Sequence, residues 1–241
     1  MTDLNSELFE LSMSEKAKPL LERVIKHLEE NVAPWRDEFE ALNEEKEDRW
    51  TWHPRQLELM EAAKAKAKEA GLWNFFLPDA DTGEGLSNLD YAYIAAELGK
   101  HPYGSETMNC NAPDTGNMEV LERVGTPAQK EQWLKPLLAG EIRSAYAMTE
   151  PGVASSDAKN ISTTAVLDGD EWVINGEKFY ISGAGNPRCK IMIVMVKTSP
   201  DAPASKQQSQ ILVPMDTPGV KILGAMEVMG EDHAPIGHMH L

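Results

Sequence analysis

Apolar residues recur every three or four positions in stretches of the first half of the chain and gather in short β-prone runs after Gly140, so the chain has two textures. In 12–32, Leu20, Leu21, Val24, Ile25 and Leu28 fall on one helical stripe, which predicts a packed amphipathic helix. Ser12 with Glu15, Ser87 with Asp90, and Thr126-Pro127 with Gln129 each set a capping side chain three residues before its partner. Each predicts a helix start. Further helices are predicted over 54–70, stopping at Gly71, then over 87–100, 114–124 and 126–138, the last ending before Gly140.

After Gly140 come the short β-prone runs RSAYAMT, STTAVLDGDEWVING, EKFYISGA, KIMIVMVKT, QILVPM and GVKIL. Asp168-Gly169-Asp170 and Asn175-Gly176 predict tight hairpin turns, and 199–209 reads as a polar loop. Strand runs that follow helix runs predict an α+β chain rather than alternating βαβ units. The expected organisation is an N-terminal all-helical domain over 1–142 and a middle β domain over 143–241, an antiparallel sandwich or barrel-like sheet.

Composition narrows the function. The 241 residues hold 23 Lys plus Arg against 39 Asp plus Glu, a formal charge of −16. That field repels nucleic acid and anionic membrane surfaces. The run 37–49 is acidic and reads as a solvated face. Cys110 and Cys189 are too few for a disulfide framework, which fits a reducing compartment. No run has the length of a membrane-spanning helix and the start is acidic, so a cytoplasmic protein without membrane insertion is expected. Gly83 and Gly85 lack the third glycine and preceding strand of a phosphate loop and read as the loop before Ser87. His238 and His240 have strand-alternate spacing, but no third ligand accompanies them and no metal site is expected.

Two segments carry candidate chemistry: YAMTEPGVASSD from Tyr146 to Asp157, and EKFYISGAG from Glu177. Thr149 closes a strand before the Pro151-Gly152 turn, where its hydroxyl and amide can act as donors. Ser155, Ser156 and Asp157 add further polar groups. Tyr180 and Ser182, two apart on an expected strand, would share one face and offer an aromatic wall and a hydroxyl, with Ile181 opposite. A flavin needs such donors and such a wall. Either segment alone reads equally as a structural turn or a half-buried sheet aromatic.

The pair, with NCNAPDTGNMEVLERVGTPAQKEQWLKPLLAGEIRSA before it, resembles the signature of the acyl-CoA dehydrogenase family over at least 71–241. It is most similar to the subgroup that in animals is fused to a kinase-like domain and is associated with longer or branched acyl chains. The resemblance implies FAD as cofactor, bound by Tyr146, Met148, Thr149, Ser155, Ser156, Tyr180, Ile181 and Ser182. Ser156 would also touch an acyl-CoA substrate. It further implies α,β-desaturation with hydride passing to the flavin, an electron-transfer flavoprotein as partner, and a homodimer or homotetramer.

The turn is one residue longer than the usual family form, so Ser155 and Ser156 stay interchangeable at this point; Tyr180 replaces the usual Trp and Ser182 the usual Thr. The family's C-terminal helical domain, which carries the glutamate base, has no counterpart in these residues. The chain is therefore expected to lack a catalytic residue and to be inactive alone. An acyl-CoA oxidase, a flavin monooxygenase of the same fold, and a non-catalytic acyl-CoA or protein-binding module remain as other readings.

Overall fold

The structure is a computed structural model, described for residues 11–46, 52–226 and 238–241, with His238 described by its backbone. Its contacts divide the chain into two compact units, Met1–Glu45 with His53–Asn111, and Lys46–Trp52 with Ala112–Leu241. The class is α+β. The acidic start, the end of the acidic run at 47–49 and the His238 side chain lie outside the described residues.

In the first unit the helices are α1 (Lys18–Asn31), α2 (Arg36–Ala41), α3 (Pro54–Glu69), α4 (Asn88–Leu98) and the short α5 (Gly104–Thr107). α1 buries Leu20, Val24 and Leu28 as the stripe predicts, but it begins six residues after Ser12 rather than at it. The reason is tertiary: the Ser14 amide donates to Asp90 Oδ1 at 2.8 Å, which ties that stretch to the start of α4. α3 is capped by His53, whose Nδ1 accepts from the Arg55 amide at 3.1 Å, and it stops before Gly71 at φ +64°. Ser87 caps α4 by accepting from the Asp90 amide at 3.1 Å. In the acidic run, Phe39 and Leu42 turn inward while its described acids, Asp37, Glu38, Glu40, Glu44 and Glu45, face solvent. Val24, Met60, Ile94 and Met108 are fully buried in this unit, each such side chain contributing about 1.5–3 kcal/mol.

The second unit begins with α6 (Asp114–Val124) and a helical segment over 127–139. Thr126 and Gln129 form the expected capping box. The middle of that segment, Lys130–Leu134, is wound as a π-turn, with the Lys135 amide donating to Lys130 O. Pro136 follows directly, and its missing N–H interrupts the regular ladder. Strands β1 (Arg143–Ala147), β2 (Thr164–Asp168), β3 (Glu171–Asn175), β5 (Cys189–Lys197) and β6 (Gln208–Pro214) make one sheet. β4 (Ile181–Ser182), β7 (Gly224–Ala225) and β8 (His238–His240) make another.

The larger sheet is mixed rather than wholly antiparallel. β5 is its hub: β1 runs parallel along it, β6 antiparallel, and β2 meets it in parallel at Thr164 and Lys197. The connection from β1 to β5, residues 148–188, is long enough to bring the chain back in the same direction. The DGD hairpin forms between β2 and β3 as expected. Asn175-Gly176 does not form a second hairpin; a Cβ on Gly176 would lie 2.2 Å from Thr163 Oγ1, so the glycine serves a close approach. Ala145, Ala147, Met192, Val194 and Ile181 share the core of this unit with Met239. A buried polar cluster joins α6 to β1: Asp114 Oδ2 pairs with Arg143 Nε at 2.7 Å, and Asn117 Nδ2 donates to Ser144 Oγ at 2.8 Å.

Candidate functional site

β1 stops at Ala147, and Met148-Thr149-Glu150 leaves the sheet. The segment 177–180 lies beside it and supplies the backbone partners that a neighbouring strand would otherwise give. Phe179 N donates to Thr149 O at 3.0 Å, and Thr149 Oγ1 donates to Phe179 O at 2.6 Å. Lys178 Nζ donates to Met148 O and to Glu150 Oε1, both at 2.9 Å, and to Met195 O at 2.7 Å. The two candidate segments thus meet directly.

Glu150 is the centre of the following turn. Its Oε1 accepts the Thr163 amide at 2.9 Å, and its Oε2 accepts the Ser162 amide at 2.7 Å and the Ser162 hydroxyl. Glu150 is 3% exposed and Lys178 4%. Burial alone would raise the Glu150 carboxyl, but the bonds from Lys178, Ser162 and Thr163 outweigh it and hold the group down at about 2. Burial also lowers Lys178 from its ordinary value, with Glu150 opposing that shift. Paired and fully bonded, the two charges are tolerated inside the fold.

The predicted site residues separate into two groups. Tyr146 and Met148 are half-buried on β1 and just beyond it, with the Tyr146 hydroxyl accepting from Gln210 Nε2 at 3.0 Å. Thr149 joins them at the junction. Tyr180 is exposed, and its ring meets that of Phe179 edge-on with centroids 4.9 Å apart. Ser156 is exposed on the turn. Ser155 instead turns inward at 2% exposure, its hydroxyl accepting from the Glu150 amide at 2.6 Å. Ile181 is likewise buried, in the core beside Met239.

The geometry by which Tyr180 and Ser182 would share a strand face does not occur. Tyr180 has φ +56°, a left-handed backbone that ends the alternation, and the strand is confined to Ile181–Ser182. Ser182 lines a small cavity of about 30 Å³ with Arg143, Ser144 and Asn186. A larger cavity of about 1010 Å³ is lined by Thr163, Gly176, Lys178 and Val194 and by none of the predicted site residues. Among the described residues, no group of three His, Cys, Asp or Glu side chains could hold a metal ion, and no helix is long and apolar enough to cross a membrane.

Sequence reasoning missed Glu150 and Lys178. Both stand inside the quoted segments, but charged residues default to solvent, and no periodicity marks the burial of this pair. The only available signal was that one segment carries the acids Glu150 and Asp157 and the other the base Lys178, beside Glu177.

Residues 14–141 match the acyl-CoA dehydrogenase N-terminal domain, and residues 145–241 match the acyl-CoA dehydrogenase middle domain. The chain belongs to the acyl-CoA dehydrogenase family. Acyl-CoA dehydrogenase family member 10 of Mus musculus is 45% identical over 231 residues, covering 94% of this chain and 21% of that protein. Family member 11 of Homo sapiens is 45% identical over 244 residues, covering 99% of this chain and 30% of that protein. These two belong to the subgroup that the sequence resemblance indicated. A solved chain from Mycobacterium abscessus, described as an acyl-CoA dehydrogenase, superimposes with a TM-score of 0.88 at 44% identity, covering 95% of this chain and 57% of its own. The chain therefore spans less than a third of these two curated relatives.

Proposed function

We propose that this chain forms the flavin-positioning part of an FAD-dependent acyl-CoA dehydrogenase, which desaturates an acyl-CoA thioester between its α and β carbons. The observation that carries the reading is the junction of Thr149 with Phe179. It joins the strand end that carries Tyr146, Met148 and Thr149 to the segment that carries Tyr180.

The donor set fits a flavin. The Thr149 amide has no hydrogen-bond partner among the described residues, and the Tyr180 ring is exposed. Ser156 offers an exposed hydroxyl for cofactor or substrate, whereas Ser155 is committed to the Glu150 amide. FAD, when bound, supplies the hydride acceptor. Tyr146, Met148, Thr149 and Tyr180 would hold it, with Thr149 as a hydrogen-bond donor and Tyr180 as an aromatic contact.

Neither carboxylate of the turn suits the removal of the α-proton. Glu150 is held at about 2 by Lys178, Ser162 and Thr163, and Asp157 is lowered by the Lys159 amide, so both are weak bases at neutral pH. The base is proposed to come from residues outside this chain, and the electrons to leave to an electron-transfer flavoprotein. Anaerobic addition of acyl-CoA to the full-length, FAD-loaded protein tests the reading. Bleaching of the flavin band with formation of the enoyl thioester is expected. A protein that purifies without flavin and cannot be loaded with it would sink the proposal in favour of a binding module, and rapid reoxidation by oxygen would favour an oxidase.

A further inference from the structure

The ammonium of Lys178 has three protons, and all three are used: on Met148 O, Met195 O and Glu150 Oε1. One of these acceptors matters beyond stability. The Met148 carbonyl and the Thr149 amide are the two ends of a single peptide unit, which is planar with its C=O and N–H pointing in opposite directions. A cation seated on the carbonyl therefore aims the N–H away from the interior, and it draws electron density from the nitrogen, which strengthens that N–H as a donor. The Thr149 amide is also the group left without a partner among the described residues.

The Thr149 hydroxyl has a different assignment. It donates its only proton to Phe179 O at 2.6 Å, while the Thr149 carbonyl accepts from Phe179 N. The next residue is fixed as well. The Glu150 amide is taken by Ser155 Oγ at 2.6 Å, and its carboxylate by Lys178, Ser162 and Thr163. The peptide on the other side of Thr149 is thus held by an independent set of bonds. Every rotation that would redirect the Thr149 N–H breaks a bond to a buried group.

We propose that Lys178, held in place by Glu150, is a positioning residue for the flavin: it orients and polarises the Met148–Thr149 peptide so that the Thr149 amide, rather than the Thr149 hydroxyl, is the donor to the flavin's hydrogen-bond-accepting edge. This rests on the flavin reading above. A donor aimed at a carbonyl oxygen of that edge, which stays an acceptor and gains electron density on reduction, favours the reduced flavin, so the pair raises the flavin midpoint potential. A pair that served only as a structural latch would change melting and leave the potential of bound flavin alone.

The test uses the full-length, FAD-loaded protein and reads its flavin midpoint potential, its affinity for FAD and its melting temperature. The double variant E150Q/K178M removes both charges together and so leaves no isolated buried ion. It is expected to shift the midpoint to more negative values and to weaken FAD binding about tenfold, the equivalent of one strengthened hydrogen bond. Thr149→Val removes the hydroxyl, keeps the amide, and is expected to move the midpoint less than the double variant does. A folded, flavin-bearing double variant with the wild-type midpoint overturns the inference and leaves the flavin reading standing. Wild-type protein that cannot hold FAD overturns both. Should the double variant fail to fold, Thr149→Val decides alone: a large shift makes the hydroxyl the donor and overturns the inference, and a small one upholds the amide.

Discussion

Each of the two compact units buries a lysine against a glutamate, and the two pairs do different jobs. In the helical unit, Lys64 on α3 meets Glu106 on α5 at 3.3 Å and also reaches the exposed Glu61 at 2.9 Å. All three groups sit on helices: the backbone bonds of α3 close within that helix, and those of the single-turn α5 are met by neighbouring residues, as Thr107 N on Tyr103 O and Asn109 N on Glu106 O. The pair there joins two elements that are complete without it. In the sheet-bearing unit, Lys178 and Glu150 sit on irregular chain, and their partners are largely backbone: two carbonyls for the lysine, two amides for the glutamate. Here the side chains stand in for a missing strand. A buried charge pair is therefore costlier to lose where it closes backbone groups than where it bridges finished helices.

The largest expected effect is at Lys178. Lys178→Met leaves Glu150 buried without its cation and frees two carbonyls, and it is expected to destabilise the second unit by about 3–5 kcal/mol. Denaturant melts that follow the two units separately would show the loss, and a variant as stable as wild type would end the comparison. Lys64→Met is expected to cost less, about 2–3 kcal/mol, because only the pair is lost and the helical backbone stays closed. Equal losses at the two lysines would mean that the backbone bonds contribute nothing extra.

Acid sharpens the same contrast. The Glu150 carboxyl lies at about 2 in the folded protein, below its ordinary 4.5. A depressed carboxyl stabilises the fold fully above the ordinary value and loses that contribution as pH falls from about 4.5 towards 2. The second unit is thus expected to weaken over that window, seen as a falling melting temperature. A Glu150→Gln variant, already weaker at neutral pH, should show a flatter acid limb; an identical limb would remove Glu150 as its cause.

The smallest effects separate the two adjacent serines. Ser155→Ala removes the acceptor for the buried Glu150 amide and is expected to cost about 1–2 kcal/mol. Ser156→Ala, at an exposed position, should stay within about 0.5 kcal/mol by thermal melting. A reversal of that order would mean that the turn is held by the other serine.

Much of the frame was legible along the chain. The α3 stop at Gly71, the Ser87 and Thr126 caps and the DGD hairpin each depend on residues within a few positions of one another, and local pattern was enough to find them. The segments at Tyr146 and Glu177 were recognised by their resemblance to a family signature. What failed were inferences that assumed local regularity would continue. Ser12 does not cap α1, because Asp90 takes the Ser14 amide instead. Tyr180 does not alternate with Ser182, because its backbone turns left-handed. Asn175-Gly176 is no hairpin, because Thr163 occupies the space beside the glycine.

The sequence by itself determined the α+β order, which follows from residue type and short-range spacing, and through its resemblance to a known signature the family and the two segments of the candidate site. Only the tertiary structure decided that β1 and β5 run parallel, that Ser155 faces inward while Ser156 faces out, and that a buried Lys178–Glu150 pair joins the two segments. The reason is physical. A charge is buried only when partners far apart in sequence arrive together to bond it, and neither periodicity nor composition records which distant groups will meet.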